Sequence, residues 1–121
     1  MALIMMVDDE QDACRMMLRI LSTFGHDVRA FTDAQDAMEW LSTNAPDLAL
    51  LDIRLRGMSG FVVLEFLRDH LPHTKILMIT GYPSAETVCK ALEMGVDDYL
   101  IKPVEIEELE EHVNKTLGLA P

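Results

Sequence analysis

The sequence has little positive charge, few cysteines and no long apolar run. Ten Lys and Arg residues oppose 21 Asp and Glu residues, and the formal net charge of −11 would repel nucleic acid and anionic lipid. Cys14 and Cys89 lack a CxxC spacing, which favours reduced thiols over a disulfide. Residues 1–7 are apolar but too short to span a membrane, and they carry no basic leader. These absences favour a cytoplasmic protein that binds neither nucleic acid nor membrane directly.

The length fits one domain with a substantial core. The chain has 121 residues, of which 50% are hydrophobic, and a domain of this size buries roughly 65% of its unfolded surface. We therefore predict a single domain over residues 1–121. Within it, residues 118–121 are a tail or the start of a linker.

Short apolar runs recur at similar spacing, and a stretch with helical periodicity follows each of them. The predicted strands are residues 3–7, 28–31, 48–51, 76–79 and 99–101. The run 48–51 is apolar throughout, which is typical of a strand that is buried on both faces. Alternating strands and helices predict an α/β, doubly wound, five-stranded parallel sheet, (βα)5, with the flavodoxin-like strand order 2-1-3-4-5.

The predicted helices differ in the width of their apolar faces. The third, residues 60–70 with Ser59 as its N-cap, has a wide face, whereas the fourth, about 84–94, has a thin one, which predicts weak anchoring. The second begins at Thr32 as N-cap, with Gln35 completing a capping box. The expected inward residues of the first helix are Ala13, Met16, Met17, Ile20, Leu21 and Phe24, and those of the fifth, about 105–117, are Ile106, Leu109, Val113 and Leu117.

Polar side chains follow the strands at the edge where this topology places a binding site. Asp8 and Asp9 follow the first strand, and Asp52 follows the third. Their mutual repulsion requires a compensating cation, and a few carboxylates with room for water suit Mg²⁺. Thr80 and Lys102 follow the fourth and fifth strands, and a hydroxyl and an ammonium beside an aspartate nucleophile suit phosphoryl transfer to a carboxylate.

With these residues the chain resembles the receiver (REC) domains of two-component response regulators from about residue 3 to 117. The pattern is matched by Asp8-Asp9, Asp52, Thr80-Gly81 and Lys102-Pro103. The resemblance implies that Asp52 accepts a phosphoryl group from a phosphohistidine of a histidine kinase, from a phosphotransfer protein or from a small phosphodonor. It also implies a conformational change that regulates an output partner or domain, with no enzyme activity beyond the chain's own Mg²⁺-dependent phosphorylation and dephosphorylation.

The resemblance also assigns roles to the other site residues. Asp9 and Asp52 would ligate Mg²⁺ directly, Asp8 partly through water, and Arg54 through its backbone carbonyl. Lys102 would pair with Asp52 and then with the phosphoryl oxygens, to one of which Thr80 would donate. Tyr99 occupies the aromatic switch position, where the alternative is a partly buried strand aromatic. A cis bond is expected at Lys102-Pro103.

The chain departs from the family pattern near the phosphorylation site. Leu55-Arg56 replaces the common methionine-proline. Arg54 and Tyr82 flank the route of an attacking water, so their size would slow hydrolysis of the phosphoaspartate. A homodimer through the fourth helix, fifth strand and fifth helix stays open, since the fifth helix has no arginine to pair with Asp97-Asp98.

Three other functions share part of this pattern. A phosphatase with an aspartate nucleophile needs an acid where Arg54 stands, and a flavodoxin-like electron carrier needs a glycine- and hydroxyl-rich loop where Asp8-Asp9-Glu10 stands. A degenerate receiver that serves as a phosphorylation-independent scaffold is the main alternative, although it commonly lacks one of the site residues. A zinc site at His70 and His73 lacks further ligands.

Overall fold

The fold is seen in a computed structural model, which describes residues 2–55 and 58–119. These residues form seven strands and five helices. The strands are β1 Leu3–Val7, β2 Asp27–Phe31, β3 Leu48–Asp52, β4 Arg54–Leu55, β5 Met58–Ser59, β6 Lys75–Thr80 and β7 Asp98–Ile101. The helices are α1 Gln11–Thr23, α2 Ala34–Leu41, α3 Gly60–His70, α4 Ala85–Glu93 and α5 Ile106–Leu117.

Five of the strands form a parallel sheet in the order β2-β1-β3-β6-β7. Counted within the sheet, this is the predicted order 2-1-3-4-5. Val7 pairs with Leu51, Asp52 with Ile79, and Thr80 with Ile101. This register aligns the carboxyl ends of β1, β3, β6 and β7 along one edge.

The sheet separates two apolar clusters because successive strand side chains point to opposite faces. Ala49 and Leu51 pack with α2, α3 and α4, whereas Leu48 and Leu50 pack with α1 and α5. All five residues of β3 are buried. The prediction of a strand covered on both faces is therefore confirmed.

The helix ends follow from local capping. Gly25, Gly95 and Gly118 have positive φ angles just beyond the ends of α1, α4 and α5, where glycine relieves the strain of the left-handed region. Ser59 and Ser84 accept hydrogen bonds from backbone N–H groups in the first turns of α3 and α4. Both serine caps allow the next helix to begin directly after a turn.

The predicted cap of α2 was wrong by one residue. The N-cap is Asp33, whose Oδ1 accepts hydrogen bonds from the N–H groups of Gln35 and Asp36, at 2.7 and 3.4 Å. A carboxylate at this position satisfies two N–H groups and complements the helix dipole, which the Thr32 hydroxyl would not do.

Two predicted apolar faces are narrower than the periodicity suggested. Met16 of α1 is 58% exposed, and Cys14 is buried in its place. Ile106 at the start of α5 is 53% exposed, while Leu109 and Val113 are buried. α4 buries Ala91, whereas α3 buries five residues, so the predicted difference between their faces is confirmed. No helix within the described ranges is long and apolar enough to cross a membrane.

Candidate phosphoacceptor and metal site

Four polar residues lie at the carboxyl edge of the sheet. Asp8 follows β1, Asp52 ends β3, Thr80 ends β6 and Lys102 follows β7. The ammonium Nζ of Lys102 lies 2.8 Å from Oδ2 of Asp8 and 2.9 Å from Oδ2 of Asp52. The Lys102–Pro103 peptide bond is cis, as predicted. Parallel strand pairing thus brings together residues that are far apart in sequence.

Three carboxylates form a group that could hold a metal ion. One oxygen each from Asp8, Asp9 and Asp52 lies within 4.8 Å of the others. Hard oxygen donors in this number suit Mg²⁺, which keeps part of its water shell in protein sites. The donor set therefore fits the predicted ion.

Backbone N–H groups fix the orientation of two of these acids. Oδ1 of Asp8 accepts from the N–H of Glu10 at 3.0 Å, and Oδ1 of Asp52 accepts from the N–H of Arg54 at 3.1 Å. In both cases the donor lies two residues further along the chain, so a short turn holds each carboxylate. The second oxygen of each acid then faces Lys102.

Burial and charge act in opposite directions on the site. Burial raises the pKa of Asp52 above its ordinary value, and its hydrogen bond and charge interaction with Lys102 offset this only in part. Burial alone would lower the pKa of Lys102, but the hydrogen bonds and charges of Asp8 and Asp52 outweigh it and raise that pKa. Lys102 therefore stays charged, while the Asp52 carboxylate gains from any further cation.

Thr80 is fully buried at the end of β6. Its Oγ1 accepts a hydrogen bond from the N–H of Tyr82 at 3.1 Å, and its carbonyl accepts from the N–H of Lys102 at 2.7 Å. These bonds tie the loop after β6 to the residue after β7. A rotation of the Thr80 hydroxyl would therefore break its hydrogen bond with Tyr82.

The side chains of Arg54 and Tyr82, from the loops that follow β3 and β6, contact each other. The guanidinium carbon of Arg54 lies 4.1 Å from the centroid of the Tyr82 ring, a cation–π geometry. Arg54 also donates through its backbone to Asp52, and Tyr82 to Thr80. The pair thus joins the loop after β3 to the loop after β6. Arg56, the other predicted departure, lies outside the described residues.

Tyr99 packs its ring against the apolar cluster shared by α2, α3 and α4. Its hydroxyl is buried without a hydrogen-bond partner among the described residues. A buried polar atom without a partner costs about 1–3 kcal/mol. The aromatic side chain at the predicted switch position therefore lies inward at an energetic cost.

Two residues that support the site were missed from the sequence. A Cβ atom added at Gly60 would lie 2.0 Å from the carbonyl oxygen of Asp52, so only glycine permits this approach. The thiol of Cys14 donates to the carbonyl of Asp8 at 3.0 Å. Burial, and then the charge of Asp8, raises the pKa of this thiol to about 11. The position of Gly60 directly after the serine cap was the feature of the sequence that could have indicated its role.

Other candidate residues lie away from this site. The His70 ring stacks on Phe66, and its Nδ1 lies 3.1 Å from the Phe66 carbonyl oxygen. Neither His70 nor His73 joins a metal-ligand group within the described ranges. Cys14 and Cys89 are free cysteines, one buried and one exposed.

Comparison with known proteins gives a consistent match. The family model described as response regulator receiver domain matches residues 4–114. The regulatory protein AtoC of Escherichia coli is 33% identical over 96% of this chain, and the response regulator PilR of Pseudomonas aeruginosa is 35% identical over 95%. The crystal structure of a CheY-like receiver domain protein from Methanospirillum hungatei superposes with a TM-score of 0.93 at 32% identity, covering 96% of this chain and 93% of that one.

The chain covers only part of the length of these two relatives. The chain spans 25% of the length of AtoC and 26% of that of PilR. The shared segment contains all four strand ends described above.

Proposed function

The chain belongs to the response regulator receiver domain family, and we propose that Asp52 accepts a phosphoryl group in the presence of Mg²⁺. The donor is a phosphohistidine on a sensor histidine kinase or phosphotransfer protein, or a small phosphodonor. One observation carries the proposal: Asp52 stands at the end of β3 with the Lys102 ammonium at 2.9 Å and Asp8 and Asp9 beside it. This set combines a nucleophile, a fixed cation and ligands for a metal.

The reaction is an in-line displacement at phosphorus. An oxygen of the Asp52 carboxylate forms a bond to phosphorus while the bond to the donor's imidazole nitrogen breaks, and the imidazole keeps the electron pair. Lys102 binds the phosphoryl oxygens, and the hydroxyl of Thr80 donates a hydrogen bond to one of them. Asp8, Asp9, Asp52 and the Arg54 carbonyl would hold Mg²⁺, which supplies positive charge for the transferred oxygens. The backbone N–H of Arg54 keeps Asp52 oriented.

The signal is a change of conformation and not a released product. When Thr80 turns towards the phosphoryl group, it leaves the N–H of Tyr82 and draws its loop inward. Tyr99 would be the second part of the switch; the resemblance implies an inward swing of its ring, and in this structure its hydroxyl is already buried. The population shift would reach an output partner or domain. No catalysis beyond the chain's own phosphorylation and dephosphorylation is required.

The domain organisation, the location and the partners of the chain are proposed on the same basis. We take residues 1–121 as one receiver domain that acts in the cytoplasm, with residues 118–121 as a tail or linker. The net charge of −11 argues against direct contact with nucleic acid or membranes. A homodimer through α4, β7 and α5 stays a prediction. Asp97 and Asp98, which would face the partner, bind the Ile76 N–H and His112 of their own chain.

The phosphoacceptor is tested by weighing the intact protein after treatment with Mg²⁺ and an acyl phosphate. The wild type should gain one phosphoryl group and Asp52→Asn none. Asp69→Asn, which removes an exposed carboxylate from α3, should gain as much as the wild type. An unmodified wild type would favour the scaffold alternative, and an equal gain in Asp52→Asn would place the phosphoryl group elsewhere.

The metal ligands are tested by calorimetric titration with MgCl₂. Asp9→Ala should weaken Mg²⁺ binding, while Asp36→Ala, which removes an exposed acid from α2, should leave it unchanged. Unchanged binding in Asp9→Ala would remove Asp9 from the ligand set.

The Arg54–Tyr82 stack is proposed to lengthen the life of the phosphoaspartate. The resemblance implies that these two positions flank the route of the attacking water, so two large side chains there would hinder it. The phosphoaspartate should be hydrolysed faster in Arg54→Ala and in Tyr82→Ala than in the wild type. In the double variant it should be hydrolysed little faster than in either single variant, because each single change already removes the stack. The decay of the phosphorylated mass after removal of the donor measures this. Equal lifetimes in all four proteins would mean that water does not enter past the stack.

A further inference from the structure

Helices α1 and α5 expose two apolar residues that helical periodicity predicts to point inward. Met16 of α1 is 58% exposed, and Ile106 of α5 is 53% exposed. Both helices pack on the same face of the sheet, where their buried side chains share one apolar cluster with Leu48 and Leu50. The described part of the chain therefore leaves more than half of each of these two residues open to solvent, where a second surface could cover it.

The outward faces of these two helices carry opposite charges. Arg15 and Arg19 lie one turn apart and are exposed, and α1 has no acidic residue beyond its first turn. Glu107, Glu110 and Glu111 are exposed on α5. None of these five side chains forms a salt bridge with another residue that the structure describes. Positive and negative charge thus lie unpaired on neighbouring helices.

The fold places these charges at a similar height. Helices α2, α3 and α4 pack on the opposite face of the sheet, so α1 and α5 are neighbours, and both run away from the carboxyl edge. Arg15 is the fifth residue of α1, and Glu110 is the fifth residue of α5. Because each helical residue rises by about 1.5 Å, the two side chains lie at about the same distance from that edge.

This placement suits a two-fold axis along the groove between α1 and α5. Such an axis sets α1 of one copy against α5 of the other, and the same contact occurs twice. An isologous contact of this kind needs one surface that is complementary to itself. Here Arg15 and Arg19 would meet Glu110 and Glu111 in both halves of the interface.

We propose that a second copy of the chain docks on this face, with α1 of each copy on α5 of the other. The contact pairs the opposite charges and covers exposed apolar residues of both helices. It is distinct from a dimer through α4, β7 and α5. His112 of α5 contacts Asp98 of β7, and Glu110, two positions earlier, points to the other side of the helix.

The net charge of −11 on each copy acts against any self-association. At physiological ionic strength the screening length is about 8 Å, so salt weakens the repulsion between distant charges more than the attraction between charges in contact. The opposite charges therefore select the faces that meet, while the net charge keeps the affinity low.

Charge reversal followed by mixing tests this arrangement in sedimentation velocity runs at up to about 1 mM protein. Arg15→Glu/Arg19→Glu and Glu110→Arg/Glu111→Arg each place like charges across the interface. Each variant alone should therefore dimerise at least about tenfold more weakly than the wild type. An equal mixture should regain the wild-type affinity, because every reversed helix then meets a reversed helix of the other variant.

A general effect of net charge gives a different pattern. Glu110→Arg/Glu111→Arg makes each copy less negative, so net charge alone would tighten its association. The control is Arg29→Glu/Lys75→Glu, which reverses two exposed bases on β2 and β6 and should dimerise within about twofold of Arg15→Glu/Arg19→Glu only if net charge decides. We expect it to dimerise more strongly than that variant.

A wild type that stays monomeric, a mixture that stays monomeric, or reversed variants that dimerise like the wild type would overturn the proposal. Species larger than a dimer would overturn the two-fold arrangement.

Hydrogen exchange of the wild type covers variants that fail to fold. Raising the protein concentration should slow amide exchange in α1 and α5 and leave α4 and β7 unchanged, because only the docked helices lose contact with water. Slower exchange in α4 and β7 instead would overturn the proposal. Neither measurement needs Mg²⁺ or a phosphodonor, so a failure here is distinct from a failure at Asp52.

Discussion

The two tyrosines of the chain lie in different environments, so one can serve as the control for a substitution of the other. The hydroxyl of Tyr99 is buried without a partner in the described residues, whereas Tyr82 is 64% exposed. Tyr99→Phe removes the unpaired group and keeps the ring, so the free energy of unfolding should rise by about 1 kcal/mol. Urea unfolding monitored by circular dichroism measures this.

The control for this prediction is Tyr82→Phe, which should change the free energy of unfolding by less than about 0.5 kcal/mol. A loss of stability in Tyr99→Phe larger than in Tyr82→Phe would mean that the Tyr99 hydroxyl has a partner in solution.

His26 gives the fold a dependence on pH. It is buried, and its Nδ1 accepts a hydrogen bond from the N–H of Ala2 at 3.2 Å. Burial lowers its pKa below the ordinary value of 6.5. A histidine whose pKa is lower in the folded state contributes its full stability above the unfolded value, and this contribution is lost as the pH falls below 6.5.

The prediction concerns urea unfolding at pH 7.5 and 5.5. The fall in the free energy of unfolding between these values should be smaller in His26→Gln than in the wild type. His73→Gln, at an exposed position, should show the wild-type fall. An identical fall in all three proteins would exclude His26 as the source.

At the level of single residues, the sequence predicted which polar residues lie at the carboxyl edge of the sheet but not the bonds between them. Asp8, Asp9, Asp52, Thr80 and Lys102 were predictable because each lies at the end of an apolar run, and parallel strands place such ends together. The second bond of Lys102, the stack of Arg54 on Tyr82 and the support from Cys14 depend on side-chain directions, which strand periodicity does not determine. The same holds for Met16, since an apolar side chain at helical spacing is buried only where a neighbour covers it.

The first residue of helix α3, Gly60, lies against the backbone of Asp52 and Ile53. The N–H of Gly60 donates to the carbonyl of Ile53 at 2.8 Å, and an added Cβ would clash with the backbone of Asp52. Gly60→Ala should therefore lower the free energy of unfolding by about 1–3 kcal/mol, the usual cost of overpacking, and slow phosphorylation of Asp52. Urea unfolding and the intact-mass assay measure the two effects.

Gly81→Ala is the matched control, because a Cβ at Gly81 would lie 3.8 Å from the Cβ of Lys102, an ordinary contact. Its free energy of unfolding should stay the same or rise slightly. Equal stability of the two alanine variants would show that the backbone at Asp52 can yield without cost.

Elements were predicted best where the apolar pattern was continuous. All five sheet strands and all five helices lie where the sequence placed them, with ends shifted by a residue or two. The antiparallel pair of strands β4 and β5 was not predicted. Each strand has two residues, which is too short to show a periodic apolar pattern. The Asp33 cap was missed because Thr32 and Asp33 are both good caps, and only the chain's path into the helix selects between them.

For the whole molecule, the excess of acids acts against the compact state. A net charge of −11 on 121 residues implies mutual repulsion that folding increases. Raising NaCl from 0.1 to 1 M shortens the screening length from about 10 to about 3 Å. The urea midpoint should therefore rise over this range.

Lys102→Gln increases the net negative charge by one. Its urea midpoint should therefore rise more with salt than that of the wild type. A midpoint that falls or stays constant with salt would mean that the attractive pairs, such as Lys102 with Asp8, outweigh the general repulsion.

The parallel, doubly wound architecture was the most predictable property of the molecule, because alternating strands and helices with right-handed connections imply it. The order 2-1-3-4-5 is one of the common orders for such sheets, and the structure confirms it. The binding partners and the output could not be predicted from the sequence, because they depend on the surfaces of other proteins.

The lysine bridge also bears on how the protein is made. Lys102 binds Asp8 across 94 positions of the sequence and Asp52 across 50. A growing polypeptide on the ribosome presents all three acids long before the lysine leaves the exit tunnel. We therefore expect an incomplete chain that ends before Lys102 to lack the cation that joins Asp8 and Asp52.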